Sequence, residues 1–458
     1  MSRSGLPERR LSMLDCASIV VGIIIGSGIY ETIGLVAGFA AGGRELAGLW
    51  IAGGLFALLG SLCYAELATR LPEEGGDFVY LTQAYGRGVG FLFAWTQLWI
   101  IRPGSIGALA CVFADYATQL YSLGRLSLPI YACGSVVVLT ALNVLGVRQS
   151  TRVQNILTAA KVLGLALLAA AGLFGAPAEA APAATEAVGE GNLSLALIFV
   201  LFAYSGWNEM GCVAAEVRDP QRNILRALLL GAGVVTLVYL GINAACYRLL
   251  GLQGMVEQGP VAVTTSLGPW ARTALSLLVC TSALGSTNGM IFTGARIYYA
   301  MGNRHRLFRP LAVWNLRYGT PVVSLCVQAV VTLGLLVGFG GTAVGSEPRE
   351  AFRRLVIFMT PPFYVFLLLS AAAVIVLRRR DQEPAAGVYR LPLFPLPALV
   401  VAAASAFMAY RGVTYVVDNF AQPGHQLLGP TVWVMLTTIL GLGLAIRQHR
   451  ASESSQRP

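Results

Sequence analysis

The chain is almost without lysine. Of its 32 basic residues Lys161 alone is a lysine, and the other 31 are arginine. Charge of either sign is scarce: 12% of the 458 residues are Asp, Glu, Lys or Arg, against about 25% in soluble domains. So few charges cannot coat a water-facing surface, which excludes an ordinary soluble protein. Histidine is scarcer still. His305, His425 and His449 all fall in predicted loops or the tail, so bilayer chemistry that needs histidine as ligand or base has none to use. No paired aspartates occupy facing apolar runs and no GxSxG follows a strand. The expectation is a protein that is not an enzyme, with no metal and no cofactor. The eight cysteines show no CxxC spacing and lie in or beside apolar runs, where packing is their default role.

What the chain has in plenty is apolar length. Hydrophobic residues make up 56% of it, in runs long enough to cross a hydrocarbon core as helices. Twelve such runs stand at about 13–39, 47–70, 88–118, 127–146, 151–175, 193–217, 225–249, 271–301, 321–340, 352–377, 391–415 and 427–447. No cleavage site follows the first run, so no removable signal peptide is expected, and the loops leave no room for a soluble domain. With the N-terminus inside, 21 arginines fall on the inner side and seven on the outer, which predicts both termini in the cytoplasm. The cluster Arg349, Arg353 and Arg354 is a local exception. The net charge of +10 therefore reflects topology, and no nucleic-acid partner is expected. Residues 175–192, acidic and low in complexity, read as a flexible external loop.

Two runs are interrupted. In "IVVGIIIGSGIYETIG", Gly26, Ser27 and Gly28 stand at mid-membrane, where each glycine costs a helix about 1 kcal/mol relative to alanine. On its own this motif fits close helix packing as well as local unwinding. The sixth run, "LFAYSGWNEMG", repeats the pattern with Ser205 and Gly206. Paired interruptions in the two halves of a chain mark broken helices, whose free N–H groups suit a carboxylate and whose free carbonyls suit a cation. A zwitterion fits that geometry.

The stretches "GIIIGSGIY", "CYAELATRLPEEGGDFVYL", "IRPGS", "VQNILTAAKVLGLAL", "FAYSGWNE" with "EVRDPQRNI", and "GSTNGMIFTGARIYYAMG" resemble the amino acid–polyamine–organocation superfamily. Within it they resemble the L-type amino acid transporter family and its prokaryotic members. The resemblance implies an all-α polytopic protein of twelve transmembrane helices in the inner membrane. Spans 1–5 (13–175) and 6–10 (193–377) would form a leucine-transporter-type 5+5 inverted repeat, followed by spans 11–12 (391–447). It places a substrate carboxylate at Gly26, Ser27 and Gly28, a substrate amine at the carbonyls of Ile24, Phe202 and Ser205, Phe202 as outer cover, and Asn208 just below the break. Ser205 departs from the glycine of many relatives. Lys161 matches the lysine that sodium-independent relatives place where others hold a cation, with the carbonyls of Gly22 and Ile25 and the hydroxyl of Ser286 as expected partners.

An intramembrane charge costs roughly 2.5–3.5 kcal/mol on insertion scales. Lys161 lies about 13 Å beyond Arg152 by helical rise, too deep for easy snorkelling to headgroups. Arg102 is a second intramembrane charge, expected to pair with backbone carbonyls or to serve transport. Pro103 is expected to kink its span, Glu209 to face a cationic substrate or, in preference, to pair with an inner arginine, and Asp15 and Glu66 to be solvated or to cap helices. The stretch "TQLYSLGRLS" lacks the cysteine that joins animal members of the family to a heavy subunit, so no disulfide-linked partner is expected. The resulting expectation is a sodium-independent exchanger of neutral L-amino acids. A proton-coupled symporter with Lys161 as the titrating group is the alternative within that class. An amino acid-sensing receptor is the alternative outside it, disfavoured by the short tails.

Overall fold

Away from water a backbone must satisfy its own N–H and C=O groups, and the apolar runs of this chain do so as helices. The structure, a computed structural model, describes residues 9–26, 28–174, 192–258, 269–343, 348–380, 387–420 and 428–454. Helices α1 (Met13–Ile24) and α2 (Gly28–Phe39) are followed by α3 (Gly43–Arg70) and the short α4 (Asp77–Tyr85). Next come α5 (Arg87–Thr96), a π-helical turn (Gln97–Ile101), α6 (Arg102–Leu120), α7 (Ser127–Val144) and α8 (Val147–Phe174). The second half holds α9 (Leu193–Ala203), a 3₁₀ segment (Trp207–Glu216), α10 (Pro220–Gln258), α11 (Pro269–Arg304), α12 (Val322–Ala343), α13 (Pro348–Arg380), α14 (Leu396–Phe420) and α15 (Leu428–Ser454). Among the described residues nine helices are long and apolar enough to cross a membrane, or ten if the bent pair α1–α2 counts as one. Val322–Gly338 and Val432–Ala445 are shorter apolar stretches.

The outward faces are apolar. Leu163, Leu167, Leu237 and Val330 are each more than 60% exposed, an arrangement that suits lipid and not water. The interior is unusually polar for such a shell: Lys161, Arg102, Arg296, Glu209 and Glu216 are all at most 5% exposed. Their partners hold the functional centre together.

Two local devices fix that centre. Ser12 and Asp15 form a reciprocal capping box at the start of α1, with Ser12 N–H donating to Asp15 at 2.9 Å and Asp15 N–H to Ser12 Oγ at 3.2 Å. Just before it, Leu11 N–H donates to Glu216 O and Arg218 N–H to Leu11 O, both at 2.9 Å. The entry to α1 is thus tied to the exit of the 3₁₀ segment.

Several boundaries differ from the sequence reading. Prolines 392, 395 and 397 cannot donate backbone hydrogen bonds, so the run expected from 391 becomes helical only at Leu396. The helix α4 and the π-turn had no expected counterpart, because α4 is too short and mixed to stand out and a π-turn has no periodic signature. Residues 175–191 of the expected external loop, and Ser27, lie outside the described residues. Asn192 is described, and its side chain caps α9 by accepting from Leu195 N–H at 3.3 Å.

Candidate functional site

Both expected interruptions are real breaks. Between α1 and α2 the axis bends by 44°, with Gly26 N–H turned back to Ile24 O at 2.7 Å. Between α9 and the 3₁₀ segment, Gly206 takes φ +121°, and a methyl there would lie 2.9 Å from Ile23 Cγ2. Glycine is required at Gly206 twice over, by its dihedral and by the close approach of the first break. Tyr239 of α10 joins the two: its hydroxyl stands 2.8 Å from Ile24 O and 3.1 Å from Ala203 O, sharing one O–H between both breaks.

Phe202 lies across the first break. A methyl at Gly28 would sit 3.1 Å from its Cε1, and its ring packs edge-on against Phe352 of α13 with centroids 5.8 Å apart. The Phe202 carbonyl accepts from Ser205 N–H at 3.0 Å and from Ser205 Oγ at 2.6 Å. The serine that stands where many relatives have glycine thus turns its hydroxyl back on its own helix end.

Lys161 reaches from α8 to the first break. Its fully buried ammonium donates to Gly22 O at 2.7 Å, Ile25 O at 2.8 Å and Ser282 O at 3.2 Å, and stands 3.4 Å from Ser286 Oγ. Ser286 itself donates to Gly22 O at 2.8 Å and Ser282 to Ile25 O at 3.1 Å. The charge is therefore compensated by carbonyl dipoles at the end of α1, which carry partial negative charge. Gly285 makes the room for the lysine, and Gly22 lets α8 pack closely on α1. A methyl at Gly285 would lie 2.8 Å from Lys161 Nζ, and one at Gly22 would collide with the Gln154 carboxamide.

Beside the second break lies a small cavity of about 30 Å3, room for about one water. Phe202, Ser205, Asn208 and Glu209 line one side, Gln97, Arg102 and Ser105 another, and Met359, Thr360 and Tyr364 of α13 a third. Arg102 pairs with Glu209 at 3.0 Å, and Thr293 of α11 donates to the same carboxylate oxygen at 2.5 Å. Arg102 therefore pairs with a carboxylate, not with the backbone carbonyls expected of it. Pro103 produces a π-turn in place of a simple kink. Arg102 N–H bonds five residues back to Gln97 O, and the Trp99 carbonyl, which Pro103 cannot serve, accepts from Trp433 Nε1 at 3.0 Å.

The arginine-rich end of the bundle is knitted by further pairs. Arg296 of α11 pairs with Glu216, and Arg304 with Glu73 at 2.6 Å. Glu66 is buried rather than solvated or capping: it accepts from Leu391 N–H at 2.7 Å and lies 3.6 Å from Arg378 Nε. In the link between α3 and α4, burial pushes the Glu74 carboxyl up to about 7, with Glu216 adding to the rise and Arg296 opposing it. Asp77, at the start of α4 and outside the long apolar helices, is likewise pushed up to about 7 by burial. The hydroxyls of Tyr64 and Ser370, which donate to it, oppose that shift.

The structure thus brings Lys161, Gly22, Ile25 and Ser286 into one cluster, and Gly28, Phe202, Ser205 and Asn208 around a second, with Ile24 and Gly26 between them. The sequence reading missed Tyr239, Ser282 and Gln97. A tyrosine buried in an apolar span needs a hydroxyl partner, which was a usable signal for Tyr239. Nothing in the sequence singled out Gln97 or Ser282.

A family model described as Amino acid permease matches residues 11–444. The b(0,+)-type amino acid transporter 1 of Mus musculus is 30% identical over 338 residues, covering 71% of this chain and 69% of that protein. The serine/threonine exchanger SteT of Bacillus subtilis is 27% identical over 428 residues, covering 92% of this chain and 94% of its own. The Asc-type amino acid transporter 1 of Homo sapiens is 31% identical over 345 residues, covering 72% and 66%. The family match spans both helix breaks, Lys161 and the cavity, and the chain belongs to the amino acid permease family.

Proposed function

We propose that the chain is a sodium-independent exchanger of neutral L-amino acids. It works by alternating access, with substrate held at the breaks after α1 and α9. The full complement would be twelve spans, the first ten arranged as a 5+5 inverted repeat. Both termini would face the cytoplasm, with the arginine-rich end of the bundle inward, in the inner membrane of a bacterial cell. The named relatives support amino acids as substrates and exchange as the mode.

The observation that carries the sodium-independent part is the Lys161 ammonium on the carbonyls of Gly22 and Ile25. A bound cation is what such a cage of carbonyl oxygens would otherwise stabilise. In this reading the substrate carboxylate meets the backbone at Gly26, Ser27 and Gly28. Its amine meets the second lone pairs of the carbonyls of Ile24 and Phe202, together with the Ser205 carbonyl. Phe202 and Phe352 close the outer side. The cavity of about 30 Å3 must widen to admit even a small amino acid.

The test is radiolabelled uptake into proteoliposomes, with and without unlabelled amino acid inside, in sodium or choline buffer. Uptake that needs internal amino acid and ignores sodium is the expected outcome. Uptake driven by a sodium gradient, or none into loaded vesicles, overturns the proposal. The proton-coupled alternative draws on the fact that, among the described residues, the partners of Lys161 are carbonyls and a hydroxyl, with no carboxylate to fix its charge. Pure pH-gradient-driven uptake that vanishes in Lys161→Ala would favour it.

A further inference from the structure

The cavity is not uniformly apolar, and one of its buried polar groups is idle. Gln97, the first residue of the π-turn, is 3% exposed, and its side-chain oxygen has no hydrogen-bond partner among the described residues. Its backbone is fully engaged, the carbonyl accepting from Arg102 N–H and from the Tyr298 hydroxyl at 3.2 Å. The π-turn therefore holds Gln97 in place while its carboxamide is left without work. Asn208, near the start of the 3₁₀ segment, is 6% exposed. Both carboxamides line the same cavity. Ser105, in the same wall, spends its hydroxyl on the thioether of Met359 at 3.0 Å, a weak acceptor.

Buried polar groups in native proteins almost always have partners. The Gln97 side-chain oxygen, buried without one in the wall of a cavity, is a group kept ready for something that enters it. Its neighbours limit what that is. Arg102 and Glu209 neutralise each other in the wall, so a fully charged side chain finds no counter-charge to spare. The Met359, Phe363 and Tyr364 side gives apolar contact. π-turns inside helices recur at functional sites because they turn a side chain out of the ordinary helical register.

We propose that Gln97, with Asn208, forms a neutral polar subsite for the substrate's side chain. The preferred substrates then carry an uncharged hydrogen-bonding group, a hydroxyl or a carboxamide. The proposal rests on the amino acid exchange proposed above and narrows its substrate class. It makes Gln97 a specificity-determining residue, since a carboxamide offers both a donor and an acceptor to whatever lies beside it. An apolar isostere would leave the buried Gln97 oxygen unpaired, a penalty that sites built for hydrogen bonding convert into strong discrimination.

The experiment is competition for exchange in proteoliposomes using isosteric pairs: threonine against valine, and asparagine against leucine. In the wild type the polar member of each pair should compete about 10-fold better. In Gln97→Leu that ratio should fall towards one, and Gln97→Met serves if the leucine variant does not fold. A wild-type ratio near one, or a ratio unchanged in the Gln97 variants, overturns the subsite while leaving exchange intact. Exchange of no amino acid in the panel overturns the exchanger proposal and the subsite together. The wild-type competition decides the matter even if neither variant is stable.

Discussion

Lys161 and Gly22 lie on different helices, 139 residues apart in the chain, and the lysine ammonium donates to the glycine carbonyl at 2.7 Å. One ammonium thereby ties α8 to the end of α1 where the helix stops. Replacing it by Lys161→Met keeps the length and removes the charge. Exchange should fall at least about 10-fold, equivalent to roughly 1.4 kcal/mol of barrier, and by more than thermal unfolding in detergent would suggest. Full exchange in a folded Lys161→Met protein would show that the lysine is a passive packing residue.

Tyr239 shares its hydroxyl between Ile24 O and Ala203 O. Tyr239→Phe removes the bridge without changing the ring, at a stability cost of about 1 kcal/mol. Because both acceptors flank the breaks, half-saturation for substrate should rise several-fold while the melting temperature moves little. Titrating exchange against external substrate concentration measures this directly.

Arg102 and Glu209 are buried together, and breaking such a pair from one side is far worse than removing it whole. Glu209→Gln should destabilise the protein by about 3–5 kcal/mol, because the arginine charge is stranded. Arg102→Met combined with Glu209→Met should recover most of that loss. Melting curves of the single and double variants in detergent give the comparison, and equal loss in both would contradict the burial argument.

The acidic residues between α3 and α4 set a pH dependence. Glu74 and Asp77 are each held up at about 7, above their ordinary values, chiefly by burial. The folded chain therefore binds more protons than the unfolded one between about pH 4 and 7, and stability falls as pH rises through that window. Amide hydrogen exchange across residues 72–78, corrected for the intrinsic rate, should be slower at pH 5 than at pH 8. Glu74→Gln should flatten part of the difference.

Much of this was legible in the sequence because it follows from counting. Too few charges, long apolar runs and the arginine bias point to a membrane bundle, and paired glycines at matching places mark the breaks. Lys161 stood out because an isolated charge in an apolar run demands partners. What the sequence hid depends on which groups meet in space. Arg102 and Glu209 lie 107 residues apart, and no periodicity links them. The π-turn arises from Pro103 acting with a tryptophan on the last helix, and Gln97 became visible only once that turn placed it at the cavity. Ser205 stands out for its carbonyl, and nothing in the sequence signals that its hydroxyl turns to Phe202 O.

The Trp433 indole that takes up the Trp99 carbonyl comes from 334 residues further along the chain. A nascent chain that has already inserted α5 and α6 thus lacks this indole donor to the Trp99 carbonyl until α15 arrives. The turn that carries Gln97 is synthesised early but gains this contact from a residue synthesised late. Chains stopped before Trp433 should insert normally yet lack a settled wall at Gln97, so assembly and function of this carrier would mature at different moments of its synthesis.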